Sequence, residues 1–249
     1  MSSQKRHHEL IIVVPCYNEE NRLPINQFSK FIENNSDTLL CFINDGSSDK
    51  TDNVIDKLVA VFPENIKLLS LHQNVGKARA VKAGFNYCEE NYSFSKIAYL
   101  DADLATTLEE CYSISTEINT DIQFAFGSRI AKIDTDIQRK KHRFLIGRFI
   151  ATLISNQLDL KVYDTQCGCK IFSRNIASQI FKEDFISKWL FDVEIFHRLI
   201  LIFDKENMKK ISREIPLKSW IDADDSRVKM TYFFKIWFDL LSIKKRYKS

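Results

Sequence analysis

Asp101 and Asp103 stand one residue apart at the end of a short apolar run, 97–100. The run reads as a buried strand, and alternation along a strand puts residues i and i+2 on the same side. Both carboxylates can then point into the crevice at the strand's carboxyl end, where open α/β sheets bind ligands. Two converging carboxylates repel unless a cation lies between them. A hard divalent ion such as Mg²⁺ is held in this way, by one or two carboxylates together with substrate phosphates. The alternative is structural: Asp101 starts a turn, and Asp103 helps cap a helix beginning near Thr107.

The elements that must position this pair follow one pattern. Apolar, β-rich runs at 10–14, 39–43, 66–71, 97–100 and 122–126 each end in a polar loop, and a helix is expected after each of the first four. Those helices are placed from near Pro24, from a Ser48 or Asp49 cap through Phe62, from Lys77, and from about Thr107. Strand, loop and helix in alternation predict an α/β fold with a mostly parallel sheet flanked by helices. Connection handedness then gathers the loops along one edge. Four of the six glycines, Gly46, Gly76, Gly127 and Gly168, fall in loops of this kind, where backbone turns sharply or approaches a ligand. The second half is less regular. It holds a basic, apolar-faced helix over 139–158, a polar loop at 164–170 entering a short strand, an apolar helix over 193–203, a strand at 211–215 and a final aromatic and basic helix over 232–247.

The chain has 249 residues, 45% hydrophobic and 28% charged, which suits one large globular domain. A formal charge of +3 is too small to argue for nucleic acid, and Lys and Arg gather instead around 139–148 and 227–248. The six cysteines lack paired C-x-x-C spacing and read as reduced thiols, with Cys167 and Cys169 a poor zinc site. Residues 1–9 are polar and basic rather than a signal peptide, and no run approaches the ~20 apolar residues of a membrane span. The expectation is a cytoplasmic protein, able to lie on the cytosolic face of a membrane. The Pro15-Cys16-Tyr17-Asn18 loop is not a Gly-rich phosphate loop, which argues against a dehydrogenase or a sugar nucleotidyltransferase.

With the loops in view, the chain resembles glycosyltransferase family 2, the inverting nucleotide-sugar transferases of the GT-A fold. The residues that carry this are Val13-Val14-Pro15-Cys16-Tyr17-Asn18-Glu19-Glu20, Asn44-Asp45-Gly46-Ser47-Ser48-Asp49-Lys50-Thr51, Asn74-x-Gly76-Lys77 and Asp101-Ala102-Asp103. Within the family the chain looks most like the dolichyl-phosphate glucosyltransferase branch, through Ala105-Thr106, Gly127-Ser128-Arg129, Asp164-Thr165-Gln166-Cys167-Gly168 and Trp189-x-Phe191-Asp192-Val193-Glu194. Three departures stand out. Members of the eukaryotic branch carry an amino-terminal anchor not seen in this sequence. Ala105 replaces a Gln that ligates metal in the related mannose synthases, and Asp225 replaces a Gly before Ser226 and Arg227.

The resemblance implies a single GT-A (Rossmann-like) domain over 1–249. Its donor-binding half would be about 9–130, its acceptor-binding half about 131–230, and its amphipathic C-terminal helix about 231–247. It assigns Asp45 to the donor's base or ribose, with Pro15, Tyr17 and Glu19 lining that pocket. Gly76, Lys77 and Arg79 are expected at the phosphates or base, where a helix start favours anions. Asp101, Ala102 and Asp103 would take the diphosphate, with Asp101 and Asp103 holding Mg²⁺ or Mn²⁺. The donor is expected to be a UDP-hexose, with GDP-mannose the lesser choice, and the acceptor a polyprenyl phosphate. A phosphate monoester is largely ionised above its second pKa of ~6, so it needs positioning cations rather than a base. Arg129 is the first candidate, then Arg139, Arg143 and Arg148, since guanidinium matches phosphate as a fork. A hydroxyl acceptor would need a base instead, and Asp192 is the candidate, although it can equally cap its helix. Asp164 and Gln166 are expected to shape the sugar site. The last helix suits either an anionic membrane surface or the protein core.

Overall fold

In the computed structural model, which describes residues 5–138, 141–221 and 232–247, the β-rich runs become the middle of one sheet. The strands β1 (His7–Cys16), β2 (Thr38–Asn44), β3 (Ile66–Ser70) and β4 (Ser93–Leu100) pair in parallel, in the order β3-β2-β1-β4. Alternation divides the continuous apolar run of β1 between two cores. Leu10, Ile12 and Val14 face one, with Phe28 and Phe42; Ile11 and Val13 face the other, with Phe85, Tyr99 and Phe172.

The helices α1 (Ile25–Asn34), α2 (Thr51–Val61), α3 (Lys77–Asn91) and α4 (Leu108–Ser115) follow the four strands as expected. Pro24 precedes α1, and Thr107 caps α4, its hydroxyl accepting from the Glu110 N–H at 3.1 Å. The cap is therefore Thr107 rather than Asp103. At α2 neither Ser48 nor Asp49 is the capping position, which Lys50 takes; Asp49 instead accepts from the Thr51 N–H at 3.0 Å.

The sheet continues through β7 (Cys169–Ser173), β5 (Phe124–Ser128) and β8 (Ser212–Pro216), in the order β4-β7-β5-β8. β5 lies about two residues later than expected. β7 runs antiparallel to both neighbours, so the sheet is mixed. The chain enters β7 from the loop edge: Cys169 pairs with Leu100, at the carboxyl end of β4. A strand that starts on that edge must run back across the sheet, and it carries its entry loop directly to Asp101. Strands from both halves of the chain thus share one sheet. The short β6 (Asp136–Gln138) and β9 (Ser219–Ile221) form a separate parallel pair.

Helices α5 (Lys141–Leu158), α6 (Arg174–Ile180), α7 (Phe191–Ile211) and α8 (Tyr232–Arg246) complete the described elements. α7 runs longer than expected and is broken by non-helical backbone at Asp204. α8 buries Ile236, Leu240 and Ile243, while Tyr247 donates to Glu194 and stacks on His197 of α7.

Candidate active site

The loops at the strand ends are tied to one another before any ligand is considered. The Asn18 N–H donates to Ser47 Oγ (2.9 Å), the Glu19 N–H to Thr51 Oγ1 (2.8 Å), and the Ser48 N–H to Asn18 Oδ1 (2.8 Å). The loop after β1 is thereby fixed on the loop after β2. Pro15 is half-buried and Glu19 buried, whereas Tyr17 is 37% exposed at the rim of the cleft.

Asp45 is buried at the next step along the edge. Its Oδ1 accepts the Val75 N–H at 2.7 Å and its Oδ2 the Gly76 N–H at 2.9 Å. Gly76 has φ +90°, which an L side chain rarely adopts, and it opens α3. The anion-favouring start of α3 therefore already receives a carboxylate from the protein. Burial pushes the Asp45 carboxyl up, against those two N–H donors and the charge of Lys188. The Lys188 stem packs over Gly76, and its carbonyl meets the Ala78 N–H at 3.4 Å. The sequence pattern did not single out Lys188. It becomes visible as a site cation only when the 186–190 segment is seen folded onto the α3 start.

Lys77 follows directly. Its Nζ lies 2.5 Å from Asp101 Oδ1 and 5.9 Å from the centres of both the Tyr99 and Phe191 rings. Burial alone would lower its pKa, but Asp101 and then Asp192 outweigh that and raise it. Arg79, two residues on and so on another side of α3, is exposed. Asp101 is held from the other side by β7: its N–H donates to the Gly168 carbonyl at 3.1 Å. A Cβ built on Gly168 would lie 2.0 Å from Asp101 Oδ2, so only glycine leaves room for that carboxylate. Ala102 is buried, and Asp103 stands open to solvent with Oδ1 accepting the Ala105 N–H at 3.0 Å. Partial desolvation, and next the charge of Asp101, raise the Asp103 carboxyl. The two carboxylates thus repel as their spacing requires, and a cation between them would relieve it. Among the described residues no three His, Cys, Asp or Glu side chains come together that could hold a metal. The donor set fits an ion completed by diphosphate oxygens and water rather than one caged by protein.

Arg129 does not stand free for an acceptor. Its Nε and Nη2 form a fork on Asp164 at 2.6 and 2.8 Å, and its backbone N–H reaches the same carboxylate at 3.1 Å. Burial opposes both charges. Arg129 nonetheless holds Asp164 at about 2, and Asp164 in turn raises Arg129. Beneath them Glu214 accepts from Ser128 Oγ and from the N–H groups of Tyr163 and Asp164, joining β8 to this loop. Arg148 donates to the Tyr163 carbonyl at 2.8 Å and lies 3.7 Å from that ring's centre, so it too braces the loop. Arg139, Asp225, Ser226 and Arg227 lie outside the described residues, and Arg143 is described only as part of the α5 backbone.

Asp192 is neither an open base nor a helix cap. It is buried in α7, after the capping position at Leu190, with Oδ1 2.5 Å from Lys170 Nζ and accepting from the Tyr99 hydroxyl. Lys170 is fully buried and also donates to the Cys167 carbonyl at 2.7 Å. Glu194, two residues along, accepts the N–H groups of Ile186 and Ser187 and so shapes the 186–190 segment. A cavity of about 860 Å³ lies elsewhere, between α5, α7 and β8. It includes none of the expected site residues and touches this cluster only through Glu214.

Asp45, Gly76, Lys77, Asp101 and Asp103 therefore converge at one cleft, with Arg129 and Asp164 behind it. The sequence through this cluster, residues 11–181, matches the family model described as Glycosyl transferase family 2. The chain belongs to that family. A dolichyl-phosphate beta-glucosyltransferase of Trichomonas vaginalis is 30% identical to it over 95% of this chain and 73% of its own length. The human dolichyl-phosphate beta-glucosyltransferase is 29% identical over 96% of this chain and 76% of its own. Among solved structures, glucosyl-3-phosphoglycerate synthase from Mycobacterium tuberculosis in complex with uridine diphosphate superposes with a TM-score of 0.64 at 16% identity. That match covers 96% of this chain and 80% of the synthase. A second structure of the synthase, with Mn²⁺, uridine diphosphate and phosphoglyceric acid, gives 0.66 at 16% identity over 95% of this chain and 78% of that one. The fold is that of the GT-A glycosyltransferases, and the chain is a glycosyltransferase of family 2. α7 and α8 lie beyond the matched residues.

Proposed function

We propose that this enzyme transfers a hexose, glucose from UDP-glucose, onto a polyprenyl or dolichyl phosphate reached at the cytosolic face of a membrane, with inversion and with Mg²⁺ or Mn²⁺. The curated relatives support the acceptor and the sugar by their names. From the geometry, the observation that carries the reading is the locked state of Asp192. A hydroxyl acceptor must lose a proton during attack, and the candidate base is buried in an ion pair with Lys170. A phosphate acceptor needs no such help, because its oxygen is already ionised near neutral pH.

The roles divide along the cleft. Pro15, Tyr17, Glu19 and Asp45 line the base and ribose, with Asp45 using the acceptor capacity left by its two backbone bonds. Lys77, Lys188 and Arg79 supply positive charge at the diphosphate. Asp101 and Asp103 would hold the divalent ion, whose chemistry is to offset the charge growing on the leaving nucleoside diphosphate. Arg129, fixed by Asp164, presents a preorganised cation toward the acceptor side, and Gln166 borders the same loop.

The test is turnover of purified enzyme with a panel of UDP- and GDP-hexoses, each with Mg²⁺, Mn²⁺ or chelator, and a short polyprenyl phosphate. Glycolipid from UDP-glucose is expected, lost with chelator. Asp103→Ala should lower kcat by about 10²–10³, the usual cost of removing a group that stabilises transition-state charge. Full activity in chelator would remove the metal from this reading, and preference for a GDP-sugar would replace the donor.

A further inference from the structure

Trp237, Phe238 and Leu241 of α8 are 54%, 69% and 51% exposed, although the same helix buries Ile236, Leu240 and Ile243 in the core. Spaced i, i+1 and i+4, the three exposed side chains share a face turned away from the protein. Core packing therefore accounts for one side of α8 and leaves the other unexplained. The charge on the helix is one-sided as well. Lys235, Lys244, Lys245 and Arg246 are all exposed, Arg246 in an ion pair with Glu183 at 3.3 Å. Asp239, the helix's single acidic residue, is turned inward to accept from Ser187 Oγ at 2.9 Å. Outward, α8 presents aromatic and aliphatic side chains with basic ones and no carboxylate of its own. That combination suits the boundary between headgroups and acyl chains of an anionic bilayer. The helix is 15 residues long, and among the described residues no helix is long and apolar enough to cross a membrane.

The Ser187–Asp239 bond gives this face a second meaning. It joins α8 to the segment in which Ile186 and Trp189 are 48% and 39% exposed. That same segment lays Lys188 over Gly76 and leads into Phe191 beneath Lys77. A surface resting on α8, Ile186 and Trp189 would lie beside the rim of the donor cleft.

We infer that the outer face of α8, with Ile186 and Trp189, is a membrane-docking surface for anionic phospholipid, set so that a lipid-borne phosphate meets the cleft from its rim. The lipid-acceptor reading underlies the last clause, but docking itself can be measured without donor or acceptor.

The experiment is co-sedimentation of the full chain with phosphatidylcholine vesicles, with and without one-third phosphatidylserine. Strong binding to the anionic vesicles and weak binding to the neutral ones is expected, with the bound fraction falling as salt rises. In Lys244→Gln/Lys245→Gln the partition coefficient should fall by about thirtyfold, from about fivefold per charge at the surface. Trp237→Ser/Leu241→Ser should lose binding even at low salt; both residues are exposed, so its melting temperature should stay near that of the wild type. Equal binding to both vesicles, or binding unchanged in the two variants, would overturn the inference. So would a wild-type dimer in solution that ignores vesicles and dissociates in Trp237→Ser/Leu241→Ser, which would make α8 a self-association face. Docking without glycosylation of any lipid phosphate would refute the acceptor alone. Transfer to a short soluble acceptor without docking would refute the surface alone.

Discussion

Arg129 and Asp164 show how a site cation can be strong and still unavailable. Two forked bonds and a backbone N–H commit the Arg129 guanidinium to Asp164, so under the proposed reading it would act on an acceptor by its field rather than by a fork of its own. The pair also carries a pH signature. Asp164 sits at about 2 in the folded protein, below its unfolded value. Its contribution is therefore complete above about pH 4 and is lost as pH falls through 2, a loss of about 2 kcal/mol. Asp164→Asn should lose at least that much at pH 7, read as a lower urea midpoint, with the gap to wild type closing toward pH 2. A constant gap down to pH 2 would show that the ion pair is not its source. The Asp101-x-Asp103 spacing was legible because two residues suffice to state it. The Arg129–Asp164 and Lys170–Asp192 pairs were not, since their partners lie far apart along the chain and meet only through the sheet. That is why the sequence offers Arg129 as a candidate for the acceptor phosphate, and Asp192, for a hydroxyl acceptor, as either a base or a helix cap, without showing the partner of either.

At the scale of elements, β7 decides the geometry of the carboxylates. Its entry from the loop edge brings Gly168 against Asp101, where a methyl group has no room. Gly168→Ala should displace the Asp101 carboxylate and lower kcat by tenfold or more, since misplacement by about 1 Å can cost 10². Circular dichroism should remain native; an active Gly168→Ala enzyme would mean that Asp101 is not held as described. The direction of β7 could not be read in advance, because a five-residue apolar strand looks the same in either orientation. β1 to β4 were legible through their apolar runs and the polar loops that close them, although β1 and β4 begin three and four residues before those runs, in largely polar sequence. A second prediction concerns the junction of α7 with α8. Burial lowers His197 to about 4, helped by Lys205. Below about pH 6.5 the unfolded chain takes up a proton that the folded chain refuses, so stability falls between pH 6.5 and 4, by up to about 3 kcal/mol. His197→Phe should flatten that part of the stability curve, and the wild-type imidazole should show no protonation by NMR above pH 5. An imidazole titrating near 6.5 would contradict this packing.

For the whole molecule, a mixed seven-stranded sheet gathers Asp45, Lys77, Asp101 and Asp103 at one edge, and β7, β5 and β8 carry the second half of the chain into the same sheet. The strands β1 to β4 were legible from the sequence, and so was the family. The way the second half braces the cleft, through Glu214 and through Lys188 laid on Gly76, depends on contacts between distant residues and had no local signal. The nucleophile we propose is a phosphate oxygen, with no side chain acting as its base. The most direct measurement offers the enzyme labelled UDP-glucose with either a short polyprenyl phosphate or the matching polyprenol, across pH 5 to 9. Glucosyl transfer should occur to the phosphate alone, with a rate that rises through the acceptor's second pKa of ~6 and then levels off. Transfer to the polyprenol, or none to the phosphate, would contradict that proposal.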